Sequence, residues 1–239
     1  MDFIKISYTG KVKDGRVFDT TQEAIAKSEK IFDSKRVYKP IPVAVGESQV
    51  VAGVDEALKS MKVGEKKTVE VSPEKGFGLR DPAMVRLVPI KFFRDQNINP
   101  IPGLPVEIDG RSARIQTVAG GRVRVDFNSD LAGKTLVYDV EVKEKAVSDE
   151  DKVKYLLERS FNGADGFGIK LAVKKLELTL PEAAQHDRNL LIRKASFSAE
   201  AFKYLKLEEV KFEEVWKNPD AKKEEKAEEK PEKTEKKKK

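Results

Sequence analysis

The chain has 239 residues, of which 39% are apolar and 37% charged, and it carries a net charge of +6. It has no cysteine and one histidine, His186, which excludes disulfides, thiol nucleophiles, thiolate metal sites and multi-histidine zinc sites, and no Ser-His-Asp pattern surrounds that histidine. With no phosphate-binding glycine loop and no apolar run near the ~18 residues of a membrane helix, the remaining chemistry needs neither metal, thiol nor nucleotide.

Residues 3–8 alternate, with Ile4, Ile6 and Tyr8 on one face and Lys5 and Ser7 on the other. That predicts a half-buried strand. Asp14-Gly15 marks a turn, and Val17-Phe18 resumes the sheet. Residues 22–32 read as a short helix with Ala24, Ile25 and Ile31 apolar, ended by Pro40 and Pro42. Pro42–Val45 reads as a strand. Val54–Met61 places Val54, Leu58 and Met61 at helical spacing before Gly64. Lys66–Val71 reads as a strand with Val69 and Val71 inward, followed by the loop Pro73-Glu-Lys-Gly-Phe77-Gly78.

The pattern changes near Val85. Val106 and Ile108 alternate, then Ala113, Ile115 and Thr117, then Val123, Val125 and Phe127, with turns at Asp109-Gly110 and Gly120-Gly121. This predicts a β-meander small enough to be an inserted module. Leu136–Val142 then reads as a strand that rejoins the first sheet.

Ser148-Asp-Glu-Asp151 predicts a capped helix start, with Val153, Leu156, Leu157 and Phe161 as its apolar stripe. Residues 167–180 read as one long strand, bulged where the apolar parity switches between Val173 and Leu176. Residues 187–205 read as a helix, and Val210, Phe212 and Trp216 as a last strand. His186 reads as a surface or capping residue. From Lys217 on, 10 lysines stand against 7 acidic residues with no large apolar side chain, so disorder is expected. This tail holds half the net charge. The rest is nearly balanced and shows no electrostatic footprint for nucleic acid. The opening MDFIKISY has no basic region followed by an apolar run, so no signal peptide and a cytoplasmic location are expected.

Several of these segments resemble the FKBP-type peptidyl-prolyl cis-trans isomerases. Tyr8-Thr-Gly-Lys-Val-Lys-Asp-Gly-Arg-Val-Phe18-Asp19 is similar to the first family signature. Pro42-Val-Ala-Val-Gly46 through Val50-Val51-Ala-Gly53-Val54-Asp-Glu-Ala-Leu58 is similar to the second. Met61-Lys-Val-Gly64-Glu-Lys, Lys75-Gly-Phe77-Gly78 and Leu131-Ala-Gly-Lys to Tyr138-Asp-Val-Glu141 continue the likeness. Residues between Phe77 and Leu131, opening Val85-Arg-Leu-Val-Pro89, resemble the insert-in-flap domain of SlyD-like members. The C-terminal domain resembles that of long, archaeal-type members.

The resemblance implies an α+β fold. An FKBP-like antiparallel half-barrel would wrap a short helix over residues 1–85 and 129–145. A β-rich insert would span 86–128, an α-β-α-β domain 148–216, and a disordered tail 217–239. It implies catalytic roles for Tyr8, Phe18, Asp19, Val51, Phe77 and Tyr138, and substrate contacts from Ile41, Val50 and Val54. Three positions depart from common members: Val54 for Trp, Phe77 for Tyr and Ile41 for Phe. Asp19 would be the one charged member of an apolar proline cup, holding a neighbouring hydroxyl, and the Val51 N–H would meet a substrate carbonyl. No cofactor or metal is implied.

The expected partners are unfolded or partly folded proteins with Xaa-Pro bonds. The insert would bind them near Met84, Val85, Ile90, Phe92 and Phe93. A homodimer through 148–216 is a further expectation, and no membrane contact is. Contact of the lysine tail with ribosomal RNA is the weaker reading beside a solubilising tail. A non-catalytic holdase on the same fold remains the alternative to catalysis.

Overall fold

The computed structural model describes residues 2–216, so the tail reading falls outside the described residues. The chain divides after Ala146 into two compact units. The first begins with β1 (Phe3–Val12), β2 (Val17–Thr20), α1 (Glu23–Ser28), β3 (Ile41–Ala44), α2 (Ala52–Leu58) and β4 (Lys66–Val71). It continues with β5 (Val85–Pro89), α3 (Ile90–Asp95), β6 (Pro105–Ile108), β7 (Arg111–Ala119), β8 (Arg122–Asp126) and β9 (Leu136–Lys145).

The first sheet has the order β2-β1-β9-β4, with β3 also pairing β1, and every pair is antiparallel. The predicted strand after the insert thus returns to lie between β1 and β4. Alternation along β1 and β9 puts Ile4, Ile6, Val140 and Val142 into one core with Val43, Val71 and Leu136. α2 lies across this face and adds Val54 and Leu58. It comes close because Gly53 has no side chain: a Cβ there would meet Val71 Cγ1 at 2.8 Å.

α1 is shorter than the expected 22–32. It has six residues, and Lys30 turns the chain out of the helix at φ 59°. Its one buried side chain is Ala26, too little apolar surface to hold a longer helix. The following loop is pinned instead by Phe32 stacked on Tyr38, at 5.5 Å and 17°. The Tyr38 hydroxyl accepts a hydrogen bond from Asp33 N at 2.9 Å.

The insert is a four-stranded antiparallel sheet of order β5-β8-β7-β6. The meander reading found β6, β7 and β8. It missed that β5 pairs β8 and that α3 closes the sheet. The insert has its own core of Phe93, Ile108, Ala113, Ile115, Val123 and Val125, which shares no residue with the core of the first sheet.

The second unit holds α4 (Asp149–Phe161), β10 (Gly168–Leu171), β11 (Lys175–Thr179), α5 (Glu182–Gln185), α6 (Leu190–Leu205) and β12 (Glu209–Glu213). The predicted cap is present: Ser148 Oγ accepts from Asp151 N at 3.1 Å, and Asp151 Oδ2 accepts from Ser148 N at 3.0 Å. The single bulged strand over 167–180 is corrected to a hairpin of β10 and β11. Ala172 N donates to Lys175 O at 2.8 Å across its turn, and Val173 is left exposed at the tip. The parity switch is a chain reversal: Ile169 and Leu171 pair directly opposite Leu178 and Leu176, so all four share one face. β12 adds to β11 in parallel. The helix expected over 187–205 starts at Leu190, and His186 caps α5 edge-on to Trp216.

Candidate active site

Residues of the first sheet and α2 line a cavity of about 250 Å³. Its lining includes all nine residues singled out from the sequence: Tyr8, Phe18, Asp19, Ile41, Val50, Val51, Val54, Phe77 and Tyr138. Ile6 and Gln49 complete it. They come from several separate parts of the fold. β1 supplies Tyr8, β2 supplies Phe18 and Asp19, and β3 supplies Ile41. The segment before α2 supplies Gln49, Val50 and Val51, and β9 supplies Tyr138. Val54 on α2 forms the floor and is 3% exposed.

The walls are aromatic. Tyr138 meets Phe18 edge-on at 5.8 Å and 86°, and Phe18 meets Phe77 edge-on at 6.3 Å and 89°. Such perpendicular pairs satisfy the ring quadrupoles and hold their shape. Gly10 makes the arrangement possible. It pairs with Asp19 on one side and Tyr138 on the other. A Cβ there would lie 2.8 Å from Phe18 and 2.9 Å from Tyr138. Gly10→Ala is therefore expected to push the two rings apart and lower stability by about 2 kcal/mol, the scale of overpacking a core. Chemical denaturation measures this, and an unchanged midpoint would show that the rings have room to move.

Asp19 is the cavity's charged group, and both its oxygens are engaged. The Tyr8 hydroxyl donates to Oδ2 at 2.5 Å, and Arg36 donates to Oδ1 at 2.5 Å. Burial, then the hydrogen bond to Asp19, raise the Tyr8 hydroxyl well above its ordinary pKa. Burial, then the charge of Asp19, push Tyr138 up to about 12. Both phenols therefore stay neutral donors through the neutral range. Burial is the largest single influence on Arg36 and disfavours its charge, but the hydrogen bond and charge of Asp19, with Tyr8, together outweigh it and raise its pKa.

Arg36 is one residue the sequence reading missed. It lies 17 positions from Asp19, in the loop after α1. Phe32 and Tyr38 pin that loop and the Arg36 guanidinium lies over the Tyr38 ring, while no local pattern signals it. Gln49 was missed as well; its Oε1 accepts from Ala44 N at 2.8 Å and braces the segment before α2. Val51 directly precedes α2, where backbone N–H groups lack intrahelical acceptors.

The expected client residues of the insert separate in the structure. Phe93 is fully buried, a core residue and not a surface one, and Ile90 and Phe92 pack against the same core. Met84 and Val85 are half-buried. The exposed apolar side chains there are Leu87 and Ile101, with Phe77 and Leu79 on the loop leading from the cavity. Among the described residues no group of three or more metal-ligating side chains is placed to hold a metal, and no helix is long and apolar enough to cross a membrane.

Residues 86–131 match the family described as FKBP26, IF domain, and residues 149–217 match FKBP26_C-terminal. The Short-type peptidyl-prolyl cis-trans isomerase of Methanocaldococcus jannaschii is 40% identical over 143 residues, covering 60% of this chain and 90% of its own. The chain belongs to the FKBP-type peptidyl-prolyl cis-trans isomerases.

Other FKBP-type relatives agree. The Probable FKBP-type 16 kDa peptidyl-prolyl cis-trans isomerase of Pseudomonas fluorescens is 35% identical over 108 residues, 43% of this chain and 71% of its own. The FKBP-type peptidyl-prolyl cis-trans isomerase SlyD of Haemophilus influenzae is 32% identical over 152 residues, 58% of this chain and 67% of its own. The two matched regions make this a long FKBP with an insert domain and an added C-terminal domain.

Proposed function

We propose that this FKBP accelerates rotation about Xaa-Pro bonds in folding proteins, with the proline seated in the cavity and the insert holding the rest of the client. The observation that carries the reading is the cavity itself: an apolar, aromatic cup with one carboxylate, already bound by Tyr8 and Arg36.

Rotation about the imide bond faces a barrier of ~20 kcal/mol. No bond breaks, so no nucleophile is required. The planar imide is more charge-separated than the twisted form. A cup that strips water from its carbonyl therefore favours the twisted form, and fixed dipoles add to that preference. Phe18, Phe77, Val54 and Tyr138 would enclose the ring, Ile41 and Val50 would line its flank, and Val51 N–H would meet a substrate carbonyl. Asp19 would act through the field it sets and through the Tyr8 hydroxyl it holds.

The insert would supply the chaperone part. Its outer strands β5 and β6 are sheet edges, which extended chains can join through backbone hydrogen bonds. Leu87 and Ile101 give apolar contact beside them. A homodimer through 148–216 belongs to the same reading, supported by Leu191 and Ile192 left exposed on α6; a single-chain mass in light scattering at micromolar protein would remove it.

The test of the catalytic reading is the cis-to-trans rate of a short Xaa-Pro peptide, followed by NMR exchange without a coupling protease. Acceleration by catalytic amounts of protein supports it. No acceleration, with clients still kept soluble, would favour a holdase on the same fold.

A further inference from the structure

The insert meets the body at two chain crossings, residues 79–84 and 127–131, and both are tied to one buried carboxylate. Asp126, at the end of β8, is 6% exposed. Its Oδ2 accepts from Gln116 Nε2 of β7 at 2.8 Å and from the Arg80 guanidinium. Its Oδ1 accepts from Asn128 N at 2.9 Å and Asn128 Nδ2 at 2.8 Å. Asn128 Oδ1 in turn accepts from Asp81 N at 2.9 Å, and Asn128 Nδ2 donates to Asp81 O at 3.0 Å.

Arg80 belongs to the cavity's side of this junction. It follows Phe77, a cavity wall, by three residues. Gly133 N donates to Gly78 O at 2.8 Å, which fixes the segment between them to the chain returning toward β9. The Arg80 stem runs over Gly133, close enough that a Cβ there would meet Arg80 Cγ at 3.1 Å. One ion pair thus joins the loop carrying Phe77 to the last strand of the insert. A buried carboxylate must be paired and hydrogen-bonded, so this junction has a preferred geometry where a bare two-strand linker would have a range.

We propose that Arg80 and Asp126 are positioning residues that hold the insert at the angle from which a client reaches the cavity. This rests on the reading of the insert as a client-binding module. Neither residue lines the cavity, so the pair acts on delivery and not on the rotation step. Its effect belongs to catalysis on protein clients, where two sites must engage one chain, and not to short peptides, which occupy the cavity alone.

The test compares full-length Arg80→Ala, Arg80→Lys and Asp126→Asn with the unaltered protein and with a chain lacking 86–128. Residual dipolar couplings report the orientation of the two sheets of the first unit. Peptide isomerisation and the refolding of a proline-limited protein report function. Arg80→Ala is expected to release the shared alignment of the two sheets and lower refolding catalysis about fivefold, the scale of a modest coupling energy. Peptide rates should stay within about twofold, as for distant independent sites. Arg80→Lys, which keeps the charge but not the planar fork, should restore part of both. If Asp126→Asn does not fold, the Arg80 variants decide. Unchanged couplings and unchanged refolding in Arg80→Ala, with refolding lost in the chain lacking 86–128, would overturn the clasp alone. If removing the insert leaves refolding intact, the client-binding reading is what fails, and the couplings still decide whether the pair orients the insert.

Discussion

Replacing residues 86–128 by a short glycine-serine linker is expected to lower catalysis of proline-limited refolding on the order of 10²-fold, the low end of what a second tethered site contributes. Short-peptide isomerisation should change by no more than about twofold, because distant independent sites rarely interact more strongly. The deletion is structurally mild. Val85 and Asp126 are direct register partners, so the ends to be joined, Val85 and Ser129, are only three residues removed from a paired position and within reach of a short linker. The insert's core is separate from that of the first sheet, so removing it opens no void beneath the aromatic cavity. Arg80 loses Asp126 but is already half-exposed, and its charge passes to water. The measurement is a pair of rates for each protein, one on a peptide and one on a refolding protein. Equal losses in both would mean that the insert supports the fold of the cavity and does not hold clients.

Asp19→Ala is expected to lower peptide isomerisation about tenfold, with the fold intact. Fixed electrostatic groups in closed sites contribute ~10²- to 10³-fold. Asp19 is only partly buried, its side chain 29% exposed, and Arg36 already balances its charge, so solvent and the ion pair both reduce its share. The substitution removes the acceptor of the Tyr8 hydroxyl and the partner of Arg36 together. Asp19→Asn separates these two losses, since it keeps an acceptor for Tyr8 and discards the charge. Recovery with Asn would place the effect in the orientation of Tyr8. No recovery would place it in the field. Suppression of client aggregation should be indifferent to both changes. A peptide rate untouched in both variants would remove Asp19 from the site while leaving the isomerase reading in place.

How much of this was legible beforehand differs from element to element. Alternation at β1, β4, β7, β8 and β9 is a local property. A strand with one face on a core must place apolar residues at every second position, and the sequence shows that pattern before any partner is known. The capping box at Ser148 and Asp151 is local in the same sense, three residues apart and complete. The cavity residues were found through the spacing of aromatic residues and glycines that resembles a family, not through any single position. Tyr8 or Tyr138 alone reads as an ordinary strand residue.

Other features depended on which elements meet. The parity switch near Val173 suited a bulge as well as a turn, and only pairing of Leu171 with Leu176 decided for the hairpin. Phe93 looked available to clients until β6, β7 and β8 closed over it.

The sequence by itself determined the strands of the first sheet, the existence of an insert and the capped start of the C-terminal unit, through period and spacing along the chain. The antiparallel half-barrel and the make-up of the cup came through the resemblance to the FKBP family. Only the tertiary structure decided that Arg36 neutralises Asp19 and that Arg80 reaches Asp126 across 46 positions. Charge pairing depends on distance in space, and an arginine carries no mark in the sequence of the carboxylate that the fold will bring to it.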